Sequence, residues 1–192
     1  EMFKLGQTYM EKFPKGRYIK DVSLQIAIYY NEKGMKDEFF AIAKEFVPKY
    51  HKDKSCESMI YLMGKAWIDD QKYDELKVCF KGYLADYGAS PIADALLYWS
   101  GLANLVTGSF DNAFKDFDRL VSKFSTSPYA EDATYRRAIA AYGKQDLNLA
   151  QDLFAKFIDT YMGNELCGEA EFFLGDINLG SGYVKEALHH YA

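Results

Sequence analysis

The stretch Ala130–Tyr191, AEDATYRRAIAAYGKQDLNLAQDLFAKFIDTYMGNELCGEAEFFLGDINLGSGYVKEALHHY, carries the pattern that organises the whole chain. Tyr161 stands in its middle, and steps of 37 residues back from it meet Phe124, Tyr87, Tyr50 and Phe13. A fixed period of this length over five copies is the signature of stacked helical repeats. Other columns keep the register. Fourteen residues after the aromatic marker stand Ala27, Gly64, Gly101, Ala138 and Gly175, and thirty after it stand Ala43, Phe80, Phe117, Phe154 and Tyr191. Twenty-six after it stand Phe39, Leu76, Ala113, Ala150 and Ala187. Small residues on one helix face let a second backbone approach, while aromatic columns fill the space between layers.

The copies share punctuation as well. Three residues after the marker lie Gly16, Asp53, Ser90, Ser127 and Asn164, all members of the helix N-cap set, whose side-chain oxygens or bare backbone satisfy orphan amides. Pro91 and Pro128 follow at once in two copies, where a missing N–H is harmless. Glu57, Asp94 and Glu131 then fall in an expected first turn, which suits the positive helix end. Gly34, Gly108 and Gly182 mark a second break near mid-copy. Each copy therefore predicts helix A, a tight turn, helix B and a short loop.

The expected fold is all-α: a right-handed α-solenoid of antiparallel helix pairs, about eleven helices in one domain over residues 1–192. Its repeats are 13–49, 50–86, 87–123, 124–160 and 161–192, with 1–12 as the second helix of a preceding repeat. In such an array each copy contacts only its neighbours. Met2 falls in the Phe39/Leu76 column and Ala192 lies one past Tyr191, so both termini cut a repeat; the chain reads as a piece of a longer repeat protein.

The pattern resembles the tetratricopeptide repeat, in which a small residue (Gly64, Gly101 and Gly175 in this chain) is followed twelve positions later by alanine (Ala113, Ala150 and Ala187 in this chain) and four later by an aromatic. The usual repeat is about 34 residues, and the additional length here falls at the end of helix B and in its loop. That elongated form is similar to a bacterial envelope subgroup that includes the outer-membrane-protein assembly lipoprotein and the periplasmic coordinator of the Tol–Pal system. The resemblance implies an interaction scaffold that is periplasmic or envelope-associated, with a cytoplasmic site as the alternative.

Net charge of −5 and a pI near 5.3, with dispersed basic residues, exclude the basic stripe that nucleic acid demands. No apolar run reaches the ~18 residues that cross a bilayer. Cys56, Cys79 and Cys167 are expected free, since their repeat positions hold them apart. His51 falls in a loop and His189 and His190 are adjacent, so no metal site is expected. Asp69, Asp70, Asp116 and Asp118 read as solvated flanks, no catalytic motif is present, and neither an enzyme activity nor a cofactor is expected.

The resemblance places helix A on the concave side, and columns eleven, fifteen and eighteen after the marker form one stripe on it. The expected partner-binding residues are Tyr61, Lys65, Tyr98, Trp99, Leu102, Tyr135, Arg136, Ile139, Tyr142, Phe172 and Asp176. Tyrosine suits such a contact, joining large apolar area to a polar tip, and packing between layers is the other reading of the same column. Cochaperones of this family hold a peptide carboxylate with Lys, Asn and Arg on this face; here only Lys65 fits, so that clamp is not expected. Asp21, Glu32, Asp69, Asp132 and Glu169 form acidic margins, favouring a peptide with aromatic or aliphatic anchors and some basic residues. The other function classes are an aromatic groove for a glycan or small ligand, and a docking arm of a larger multidomain envelope protein. Self-association through uncapped repeat ends is a further expectation. Arg137 stands in an otherwise uncharged column and is expected to snorkel or pair with a carboxylate.

Overall fold

The computed structural model of the chain describes residues 2–51 and 53–191. The expected repeat limits at Glu1 and Ala192, and the place of the Met2 side chain in its column, lie outside the described residues. Eleven α-helices run through the described residues in five hairpins preceded by α1 (Met2–Lys12). The hairpins are α2 (Ile19–Glu32) with α3 (Lys36–Lys49), α4 (Lys54–Asp69) with α5 (Tyr73–Tyr87), and α6 (Ala93–Val106) with α7 (Phe110–Lys123). They continue with α8 (Ala130–Gly143) and α9 (Leu147–Thr160), then α10 (Cys167–Gly180) and α11 (Val184–His190). The chain divides into two compact units, Glu1–Leu96 and Leu97–Ala192, with the division inside α6.

Every hairpin turns in the same way. The residue 21 positions after the marker has positive φ in all five copies: Gly34 at 69°, Gln71 at 56°, Gly108 at 72°, Gln145 at 64° and Gly182 at 83°. The amide of the next residue reaches back five positions, as in Met35 N–H to Tyr30 C=O at 2.9 Å and Tyr183 N–H to Asn178 C=O at 2.8 Å. This is the Schellman arrangement, which satisfies the last helical carbonyls and favours glycine at its left-handed position. Two copies hold that position with glutamine, so composition marked only three of the five turns.

The junction after helix B is equally regular. The marker carbonyl accepts the amide three residues on, and that residue's carbonyl accepts the amide three further, as in Asn164 N–H to Tyr161 C=O at 2.9 Å and Cys167 N–H to Asn164 C=O at 3.1 Å. The expected N-cap column therefore heads a tight turn, and the α-helix begins later in most copies. Within that column Asp53 is itself the cap residue of its helix, accepting from Ser55 N–H at 2.9 Å. Asn164 Oδ1 and Ser127 Oγ make the same two-residue bond within the turn, to Leu166 N–H at 2.7 Å and Tyr129 N–H at 3.2 Å, while Tyr18, Tyr129 and Leu166 occupy the cap positions with no side-chain bond. Pro91 and Pro128 thus lie in the turn rather than at a helix start. The correction has a local cause: two consecutive three-residue turns absorb the additional length of the repeat before helical geometry resumes.

The core follows the columns. Phe39, Phe80, Phe117 and Phe154 are fully buried, as are Leu76, Ala113 and Ala150. The small column and the aromatic column meet inside the hairpin. A Cβ added to Gly101 would lie 2.6 Å from the Phe117 ring, and one on Gly175 would collide with Tyr191. Cys56 and Cys167 share a column because each thiol donates to the marker carbonyl six residues back, Tyr50 at 2.9 Å and Tyr161 at 3.3 Å. All three cysteines are free.

Candidate partner-binding surface

In the second unit the tyrosine column forms bonds between repeats. Tyr98 OH donates to Asp132 Oδ2 at 2.5 Å, and Tyr135 OH donates to Glu169 Oε2 at 2.8 Å. The Tyr98 ring stacks on Tyr129 with centroids 4.7 Å apart, and Arg136 binds Asp132 from the next turn of α8. Burial, helped by the bond to Asp132, pushes the Tyr98 hydroxyl up to about 12; burial and the Glu169 bond push Tyr135 further in the same direction. Both hydroxyls are held protonated donors at any physiological pH.

The remaining expected contact residues distribute around these bonds. Trp99 and Tyr135 are buried, at 5% and 4% exposure. Leu102, Ile139 and Tyr142 are half-buried, with Ile139 and Tyr142 packed on the core beneath them. Arg136 is half-buried, and Asp176 accepts from Tyr191 OH at 2.8 Å. Phe172 has no hydroxyl to place in the column and is 56% exposed. In the first unit Tyr61 is half-buried and Lys65 exposed.

Two polar clusters lie behind this face. Asp116 accepts from Ser100 Oγ at 2.7 Å and Asn104 Nδ2 at 2.9 Å, and burial raises its carboxyl above the usual range. Arg137 Nη1 donates to Asp118 Oδ1 at 2.8 Å. The expectation of a solvated flank is therefore corrected for Asp116, which helix packing turns inward on Ser100 and Asn104, while the Asp118 side chain stays 51% exposed and pairs with Arg137 from the solvent side. His51 pairs with Asp86 at 3.0 Å and His190 with Glu171 at 2.5 Å. Among the described residues no group of three His, Cys, Asp or Glu is placed to hold a metal.

A groove of about 570 Å³ lies between α1 and α2 in the first unit, lined by Phe3, Gly6, Tyr18, Asp21, Val22, Gln25, Ile28, Tyr29 and Glu32, among others. The sequence marked only its two carboxylates. The available signal was Asp21, Gln25, Ile28 and Glu32 at i, i+4, i+7 and i+11 on one helical face.

Antiparallel helix pairs, Schellman turns every 37 residues and small-against-aromatic crossings define a helical-repeat fold of the tetratricopeptide type. Residues 92–185, just under half of the chain, match the YfiO family, described as an outer membrane lipoprotein. No curated protein matches the chain by sequence. Among solved structures it is similar to MamA from Desulfovibrio magneticus RS-1, with 19% identity, TM-score 0.71 and 92% of each chain covered. It is also similar to a crystal structure of MamA with TM-score 0.76 at 17% identity, covering 91% of this chain and 88% of that one. A third is YrrB, described as a TPR protein with an unusual peptide-binding site: TM-score 0.73, 15% identity, 96% of this chain and 89% of that one. At these identities the likeness shows the fold. No described helix is long and apolar enough to cross a membrane.

Proposed function

We propose that the protein is an interaction scaffold holding a peptide segment of a partner on the helix A faces of its repeats. The observation that carries this reading is the repeated column of Leu102 and Ile139, half-buried apolar side chains at equivalent places on successive helices of the second unit. Tyr98, Tyr135 and Trp99 support the face from beneath, their positions held by stacking and by the two carboxylate bonds. A face preorganised in this way loses little side-chain entropy when a peptide arrives. Phe172 supplies an exposed ring on α10 and Arg136 a cation on α8; Tyr61 and Lys65 are the corresponding contacts in the first unit. The fold shared with YrrB supports peptide recognition, and the YfiO match supports an envelope location for the scaffold.

The experiment is photo-crosslinking from a benzoylphenylalanine at position 139 in the native envelope, followed by identification of the captured chain. A defined protein captured there, and lost with Phe172→Ala and Leu102→Ala, is the expected result. Glycan binding on an array with no protein captured would replace this reading. Cell fractionation tests the envelope location.

A further inference from the structure

We propose that the groove between α3 and α5 is a self-association surface, in which α3 of a second copy of this chain docks antiparallel to α3. The groove holds about 580 Å³ and is bounded by α3, α4 and α5, consecutive elements with further helices before and after them in the chain. Its floor is the Phe40 ring stacked on Trp67, with centroids 5.2 Å apart and both side chains buried. Ala41, Val78 and Cys79 line its walls. None of the residues assigned to the peptide face takes part.

The second unit shows what opens this groove. Leu149 and Leu153 stand twenty-five and twenty-nine residues after their marker and pack on the core there, together with Phe114, the counterpart of Phe40. On α5 the same two positions carry Glu75 and Cys79, and neither fills the space of a leucine against the core. The column twenty-eight residues after the marker changes in the opposite sense. It carries exposed Lys115 and Asp152 on α7 and α9, but Ala41 and Val78 on α3 and α5, and Val78 is 79% exposed. Two apolar residues in place of two charges, beside an opened aromatic floor, suit a face that a partner covers.

The charges select the partner. Asp37 and Lys44 lie on one face of α3, seven residues and about 10 Å apart at 1.5 Å per residue. Asp74 is the counterpart of Asp37, so Asp74 and Glu75 join it at one end of the groove while Lys44 stands toward the other. All four are exposed, with no hydrogen bond or ion pair among the described residues. Of the lysines near the acidic end, Lys72 lies 6.0 Å from the Phe40 ring centroid and Lys36 binds Asp70. A two-fold axis between Phe40 and Ala41 sets Lys44 of each copy into the acidic end of the other, so one contact of opposite charge is made twice. Parallel docking would instead oppose Asp37 to Asp37 and Lys44 to Lys44. The small Ala41 at the axis lets the two α3 helices approach to about 8–10 Å, the usual interaxial distance.

Sedimentation velocity of the whole chain over a range of concentrations tests this. A monomer–dimer equilibrium is expected, and Asp37→Lys or Lys44→Asp should each raise the dimer dissociation constant about tenfold or more, since symmetry doubles each like-charge contact. An equimolar mixture of these two altered chains regains both opposite-charge contacts and should dimerise as the unaltered chain does. Ala41→Lys, matching Lys115 on α7, should abolish the dimer. Circular dichroism confirms that the altered chains, all changed at exposed positions, fold. A chain that stays monomeric at millimolar concentration, a dimer indifferent to Asp37→Lys and Lys44→Asp, or a mixture that fails to associate would each overturn the proposal. Capture of a different protein by a photo-crosslinker at position 41, with no dimer in solution, would overturn it too, by assigning the groove to that protein.

Discussion

The hydroxyl of Tyr98 on α6 donates to Asp132 on α8 at 2.5 Å, joining two helix A elements 34 residues apart. Tyr135 and Glu169 repeat the bond one copy later. The offset is three residues short of the period because side chains on helix A lean toward its N-terminus and meet the preceding turn of the next helix. Tyr98→Phe and Tyr135→Phe remove the donors while keeping the rings. Each is expected to destabilise the second unit by about 1–2 kcal/mol. Urea unfolding checks this, and the double variant shows whether the two bonds are additive.

The crossing of Gly101 over Phe117 admits no Cβ. Gly101→Ala should cost about 1–3 kcal/mol through overpacking, despite the better helix propensity of alanine. Phe117→Leu placed in the same chain should recover part of that loss, since the two residues touch and their effects couple. A double-mutant cycle by chemical denaturation tests the pair.

Gln145 holds the left-handed turn position at φ 64°, where its equivalents Gly34, Gly108 and Gly182 meet no steric penalty. Gln145→Gly is expected to raise stability by up to about 1 kcal/mol, and Gly108→Ala to lower it by about 1 kcal/mol. Thermal melts of the two variants should move in opposite directions.

Asp116 is inward-facing, and burial raises its carboxyl above the unfolded value. The folded state therefore holds the proton more tightly, so this group's contribution is fully present below the unfolded value near 3.9 and is lost as pH rises through the folded value. Asp53 runs the opposite way. Its bonds to Lys20 and Ser55 hold its carboxyl well below the usual range, so its contribution is present above about 4 and fades as pH falls. Asp116→Asn should flatten the first dependence and leave the second. Denaturation midpoints measured from pH 3 to 7 separate them.

The division of each copy into two helices, the buried columns and the free cysteines were legible from residue order. Neighbouring repeats contact each other at a nearly constant separation along the chain, so a one-dimensional period carries their packing. Phe80, Phe117 and Phe154, and the glycines and alanines opposite them, could be read in this way. The direction of individual polar side chains could not. Asp116 and Asp132 are both acids on helices; one is half-buried against Ser100 and Asn104, and the other receives a tyrosine and an arginine. Sequence spacing supplies the register of such groups, but the distances that pair them depend on how helices cross and offset axially.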